Sequence, residues 1–335
     1  MSKQECKQIF RFFVFSLILS ACVKNQQITT PRQPEIDFQS DGSASLFVPS
    51  LNGNLLSVRM VKPQGDGPFP VLIGIPGTGG IYAFESEFAE GLNDLGIMAV
   101  DFAVQGRGES EGQDDHYGRV HQDDLKAVVD FVSRLPFIQQ ENIGILSYSY
   151  GVVLATGALY RYPEIPVAFL IDWEGPSCPA KDILRAVEDN EMWVIHTLAL
   201  LGGTGDMSAE EVSKLTISGG RISDDAYWSE RDASRFAEGL PCPYLRIQFD
   251  VDHVQATSKK HMMAIINAAA EKSGQWTRCN DNPANIVYSE AELAHYHFHT
   301  YPEGVFPGSS SAMAYANEVI RTYVEEMFFE KPYAE

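Results

Sequence analysis

Residues Ile143–Ala155 read Ile-Gly-Ile-Leu-Ser-Tyr-Ser-Tyr-Gly-Val-Val-Leu-Ala. An apolar run leads into Ser147, Ser149 and Gly151, and a helix-forming run follows. Small residues two before and two after a serine suit a sharp strand-to-helix turn, because the neighbours crowd the central backbone. Such a turn leaves the Ser149 hydroxyl at the strand end. The N-terminus of the next helix favours negative charge developing there. The chemistry that fits is nucleophilic attack on an acyl carbon. A serine is a weak nucleophile alone and needs a base, which an acid must orient.

Elements that would position this serine alternate between strand and helix. Asn52-Gly53 between two apolar runs predicts a β-hairpin. Apolar runs at 70–75, 97–102, 142–146, 167–172 and 244–250 predict buried strands. Helical stretches are expected near 83–94, 123–135, 150–162, 256–272 and 310–328, with a last strand near Asn285–Tyr288. Alternation of this kind predicts an α/β fold, a mostly parallel sheet with helices on both faces. Residues 173–240 break the rhythm. Helical stretches at Asp182–Leu200 and Ala209–Leu215, with Trp173, Trp193 and Trp228 as packing residues, predict an inserted helical cap.

Around Ser149 the sequence resembles the α/β-hydrolase superfamily, over about residues 45–330 without the cap. It is most similar to the dienelactone-hydrolase-like and Xaa-Pro dipeptidyl peptidase-like branches. Gly74-Ile75-Pro76-Gly77-Thr78-Gly79-Gly80 resembles the oxyanion loop of that family, with Pro76 where a histidine is usual. The resemblance implies that the N–H groups of Thr78 and Tyr150 hold the oxyanion. The segment Asp101–Gly112 resembles a second signature, which shapes the loop beside the nucleophile.

The family's chain order is serine, acid, histidine. The strand and loop at Pro243–Val254 resemble the acid-bearing segment, and the register picks Asp252, with Asp250 and Asp172 as alternatives. His295, His297 and His299 lie late enough for the base. They alternate, so in an extended segment they share a side. His295, nearest behind the expected last strand, comes first, with His297 and His299 as alternatives. The trio could also ligate zinc or copper, but no other ligand pair has diagnostic spacing, so neither a metal nor a cofactor is expected. His121, His196, His253 and His261 have only structural or surface readings.

The N-terminus reads as an address. Lys3, Lys7 and Arg11 precede a short apolar core at Phe12–Leu19, the form of a secretory signal over residues 1–21. Leu19-Ser20-Ala21-Cys22 resembles a bacterial lipobox, which implies lipidation of Cys22 and a cell-envelope location. Residues 22–43 then make the lipidated cysteine and a flexible tether, and 44–335 the hydrolase domain. Cys178, Cys242 and Cys279 allow at most one disulfide.

The chain has 335 residues and a net charge of -20, so it repels phosphate backbones and nucleic acid is not an expected partner. The expected partner is a small-molecule or peptide acyl substrate, with membrane contact through the lipid alone. The expected activity is that of a serine hydrolase cleaving an ester, thioester or amide through an acyl-enzyme. The alternative is an inactive envelope-binding or scaffold lipoprotein on the same fold.

Overall fold

The computed structural model describes residues 36–188, 207–253, 259–307 and 309–334. The signal segment, Cys22 and the tether up to residue 35 lie outside the described residues, as do Trp193 and His196.

Two strands, β1 (Ser43–Pro49) and β2 (Leu55–Val61), form the expected antiparallel hairpin across Asn52-Gly53. The remaining strands of the main sheet are β3 (Phe69–Ile75), β4 (Met98–Phe102), β5 (Ile138–Tyr148), β6 (Phe169–Trp173), β9 (Tyr244–Ile247) and β10 (Thr277–Cys279). Their spatial order is β1-β2-β4-β3-β5-β6-β9-β10. All pairs from β4 to β10 are parallel, and β2 joins β4 antiparallel. Every residue of β3, β4, β6 and β9 is buried, which is why these runs lack a polar alternation.

Helices fill both faces. Leu72 of β3 and Leu146 of β5 share a core with Phe88 and Leu92 of α1 (Ser86–Asp94) and with Ile320 and Val324 of the last helix, Ser310–Glu325. Alternate residues of a strand point to opposite faces. The other face is covered by α2 (Arg119–Val132) and α3 (Gly151–Arg161), which pack on each other, α3 also meeting β3. The α/β expectation therefore holds.

Two elements differ from expectation. Asn285–Tyr288 is not a strand. Asn285 takes a left-handed conformation (φ 58°), accepts from the Thr277 N–H through its side chain and donates its own N–H to Thr277 O. It thereby closes the end of β10, so the edge strand is Thr277–Cys279. The region between β6 and β9 is not wholly helical either. It holds α4 (Pro179–Glu188), α5 (Ala209–Ser213), a small hairpin of β7 (Thr216–Ile217) and β8 (Gly220–Arg221), α6 (Asp225–Ser229) and α7 (Ala233–Ala237). Residues 218–219 take positive φ between those strands. Trp173 belongs to β6 and to the main core rather than to the cap, whereas Trp228 is buried in α6 with its indole N–H on Arg221 O. Cys178, Cys242 and Cys279 are buried free thiols.

Candidate active site

Ser149 sits between β5 and α3 with φ 51°, a left-handed value that non-glycine residues take at a strain cost of roughly 1–3 kcal/mol. Its N–H donates to Trp173 O at 2.8 Å and its carbonyl accepts from Val152 N–H at 3.2 Å. The turn is thus tied to the neighbouring strand and to the helix. Gly151 explains why the motif ends in glycine: a Cβ there would lie 2.8 Å from Pro76 O and 3.0 Å from Ile75 O. Ser147 is buried, with its hydroxyl 3.3 Å from Ile171 O.

The glycine loop at residues 77–80 lies against Ser149. A Cβ on Gly77 would be 3.3 Å from the Ser149 Cβ, closer than most real contacts. Thr78 and Tyr150 line the same cavity as Ser149. Tyr150 caps α3, where first-turn N–H groups have no intrahelical acceptor.

His253 lines this cavity and was not among the expected bases. His253 Nδ1 lies 2.6 Å from Glu174 Oε2. Glu174 is fully buried immediately after β6, also with a left-handed φ of 50°. Its other oxygen accepts from Phe249 N–H at 3.1 Å, and its own N–H donates to Ile247 O. The imidazole of His253 stacks on Trp173, with centroids 4.6 Å apart and planes 13° apart. Its Nε2 is buried and bonds nothing among the described residues, while the side chain lines the cavity with Ser149.

The electrostatics follow from this packing. Burial alone pulls the His253 imidazole down, but its hydrogen bond to Glu174 and that carboxylate's charge outweigh it, so its pKa is raised above 6.5. Burial pushes the Glu174 carboxyl up, opposed by the same hydrogen bond. The two groups are a coupled pair that holds its proton to higher pH than an isolated imidazole.

Asp252 points elsewhere. Its Oδ2 accepts from Gln248 Nε2 at 2.5 Å and lies 3.3 Å from His261 Nε2. Asp172 is fully buried and paired with Arg246 Nη1 at 2.6 Å, and it accepts from Tyr244 Oη at 2.7 Å and Gly175 N–H at 3.0 Å. That last bond shapes the turn bearing Glu174. Arg246 also donates to Gln248, so Asp172, Arg246, Gln248 and Asp252 make one buried chain beneath the His253 loop. Asp250 accepts from Val251 N–H and Thr300 Oγ1.

None of the three late histidines lines the Ser149 cavity. His295 ends an exposed 3-10 turn, Glu290–His295. His297 is exposed, with its backbone N–H and carbonyl held by Asn282 and its carbonyl also by Asn280. His299 has Nε2 2.9 Å from Tyr323 Oη. Alternation on paper placed all three on one face. The chain instead turns at 290–295 and is pinned to the sheet edge by two asparagines. The signals missed were a carboxylate followed by glycine at the end of β6, Trp173-Glu174-Gly175, and a histidine just past the next core strand, Asp252-His253.

The cavity holds about 500 Å³. Tyr117, Tyr150, Pro176, Pro179, Ile183 and Ile217 supply apolar walls, and Arg107, Asp114, His116 and Asp182 supply polar ones. No group of three or more metal-ligating side chains is assembled among the described residues.

No family model matches the sequence, and no curated protein matches it. Solved structures do match by fold. Est1E from Butyrivibrio proteoclasticus, solved with ferulic acid bound, superposes with a TM-score of 0.53 at 18% identity, over 85% of this chain and 98% of that one. An acetyl xylan esterase from Paenibacillus sp. R4 gives 0.56 at 14% identity, over 86% and 85%. A putative dipeptidyl aminopeptidase IV from Bacteroides ovatus gives 0.55 at 15% identity, over 85% of this chain and only 35% of that one.

Proposed function

We propose that this chain, which has the α/β-hydrolase fold, is a serine hydrolase using Ser149, His253 and Glu174. The observation that carries the reading is the buried Glu174–His253 pair: its Nε2 bonds nothing among the described residues, and the His253 side chain lines the cavity that Ser149 also lines. The order Ser149, Glu174, His253 is serine, acid, histidine, as in the hydrolases whose nucleophile sits on such an elbow.

In the reaction, His253 Nε2 takes the Ser149 hydroxyl proton as Oγ bonds the acyl carbon. The carbonyl π electrons move onto oxygen, which the Thr78 and Tyr150 N–H groups stabilise. Collapse breaks the bond to the leaving group, which receives the proton from His253. Water then repeats the sequence on the acyl-enzyme and releases the acid. Glu174 holds the imidazole in the tautomer with Nδ1–H and stabilises its cation. His253 and Ser149 are not hydrogen-bonded to each other, and catalytic contacts of this kind commonly tighten only with substrate.

The substrate class that fits is an ester whose acyl part is uncharged, because Pro176, Pro179, Ile183 and Ile217 line the cavity and Arg107 is already paired with Asp114. The esterases of similar fold support this, including the one with ferulic acid bound. The lipobox-like Leu19–Cys22 supports an envelope protein anchored through Cys22.

A fluorophosphonate probe tests the reading. Wild type labels, and Ser149→Ala and His253→Asn do not. A folded wild-type sample that stays unlabelled rejects it.

A further inference from the structure

We infer that Tyr117 is a positioning residue for the oxyanion loop: its hydroxyl, directed by Arg107, holds the Pro76 and Gly77 carbonyls and so sets where the Thr78 N–H points. The inference rests on the hydrolase reading above and deepens it.

The direction of the hydrogen bonds follows from donor counting. Arginine has donors only, so the 2.7 Å contact from Arg107 Nη1 must end on a lone pair of Tyr117 Oη. The single hydroxyl proton is then left for the loop. Gly77 O lies at 2.6 Å and Pro76 O at 2.9 Å. Burial raises the phenol to about 12, so the group stays a donor across the working range.

A peptide unit is planar and trans, so its C=O and N–H point in opposite directions. Fixing Gly77 C=O toward Tyr117 therefore fixes the Thr78 N–H away from it. Gly80 N–H also donates to Gly77 O, at 3.0 Å, which completes the grip on this one carbonyl. Gly77 itself abuts Ser149, so a small rotation of this peptide moves the donor relative to the reacting oxygen.

The brace is itself held with care. His116 and Tyr117 take φ of 45° and 65°, two successive left-handed non-glycine residues. Strain of that kind persists only where the surroundings over-determine it. Here Tyr117 N–H donates to His121 Nδ1 at 3.0 Å, an acceptor only while the imidazole is neutral. Burial draws His121 down to about 4. Arg231, buried in the cap region, donates to His116 O and Asp115 O. Arg107 is clamped by Asp114 at 2.8 and 3.2 Å and lies 4.5 Å over the Tyr117 ring. None of these contacts reaches the nucleophile. They hold Tyr117 in place, and Arg107 Nη1 also donates to Gly80 O of the same loop at 3.3 Å.

The test uses the full chain, a p-nitrophenyl ester and an aryl boronic acid, whose adduct on Ser149 places negative oxygen in the hole. In Tyr117→Phe the expected kcat falls about tenfold, less than for outright loss of an oxyanion donor. KM stays within twofold, and boronate affinity falls by the same factor as kcat. Should Tyr117→Phe fail to fold, Arg107→Met removes the cation that directs the hydroxyl, together with its own bond to Gly80 O, and a kcat loss of at least threefold with a matching loss of boronate affinity is expected. Wild type that cleaves the ester and labels at Ser149, while the folded variant keeps kcat and boronate affinity within twofold, overturns this inference alone. Folded wild type that neither cleaves nor labels overturns the hydrolase reading and this inference with it.

Discussion

Glu174 Oε2 and His253 Nδ1 lie 2.6 Å apart although 79 residues separate them in the chain. They meet because β6 and β9 are adjacent parallel strands with Asp172 opposite Arg246, so the residues just past each strand share one end of the sheet. A carboxylate holding one ring nitrogen while the other is left without a partner among the described residues is the arrangement a general base requires.

This relationship sets apart the two acids. Glu174→Gln keeps shape but can hold the wrong imidazole tautomer, and kcat is expected to fall by about 10³–10⁴. Asp252→Asn is expected to stay within about tenfold of wild type, because that carboxylate faces Gln248 and His261. Steady-state rates of the two variants on one ester decide between them. The reverse ranking would restore Asp252 as the acid.

His253 accepts a proton only when neutral, so kcat/KM should rise with pH as the imidazole loses its proton. The Glu174 carboxylate raises that pKa against the lowering effect of burial, placing the limb above 6.5. In Glu174→Gln the charge is gone and burial remains, so the limb shifts to lower pH in whatever activity survives. A pH–rate profile of both proteins measures the shift, and an unmoved limb would assign it to another group.

Gly77→Ala should separate activity from stability. The added methyl meets the Ser149 Cβ at 3.3 Å, at an intermediate-exposure loop position. Labelling by a fluorophosphonate is expected to slow at least tenfold with the melting temperature little changed. Gly151→Ala drives its methyl to 2.8 Å from backbone at Pro76, and both stability and labelling should fall. Calorimetry beside labelling kinetics checks both variants.

The fully buried Asp172–Arg246 pair supports the turn that carries Glu174. Removing one partner leaves an uncompensated buried charge, which costs about 3–5 kcal/mol. Asp172→Leu should be strongly destabilised in urea unfolding. The double variant with Arg246→Met should recover part of that loss, since it removes the orphaned guanidinium as well.

If Cys22 carries the lipid, wild type expressed in a bacterial host with lipoprotein processing should incorporate labelled palmitate and sediment with membranes. Cys22→Ala should do neither. Equal membrane recovery of both would remove the anchor from the reading.

Local signals were legible in the chain itself. The turn at Ser149 is encoded within five residues, because small residues at 147 and 151 and the flanking strand and helix are contiguous. The Asn52-Gly53 hairpin and the buried strands β3 to β6 are likewise short-range patterns of turn chemistry and apolar runs. The Glu174–His253 pair was not legible in this way. Three histidines in alternation looked like a cluster, yet a turn at 290–295 and two asparagines direct that segment along the sheet edge. Glu174 and His253 become a pair only through strand adjacency. Asp172 and Glu174 are two residues apart and would share a face in a continuing strand; the left-handed turn at Glu174 (φ 50°) ends β6 between them, so Asp172 is buried against Arg246 while Glu174 reaches His253. What the sequence alone determined was the nucleophile's turn and the order of the elements. Which carboxylate meets which imidazole was decided by the pairing of β6 with β9, a contact no short stretch of chain contains.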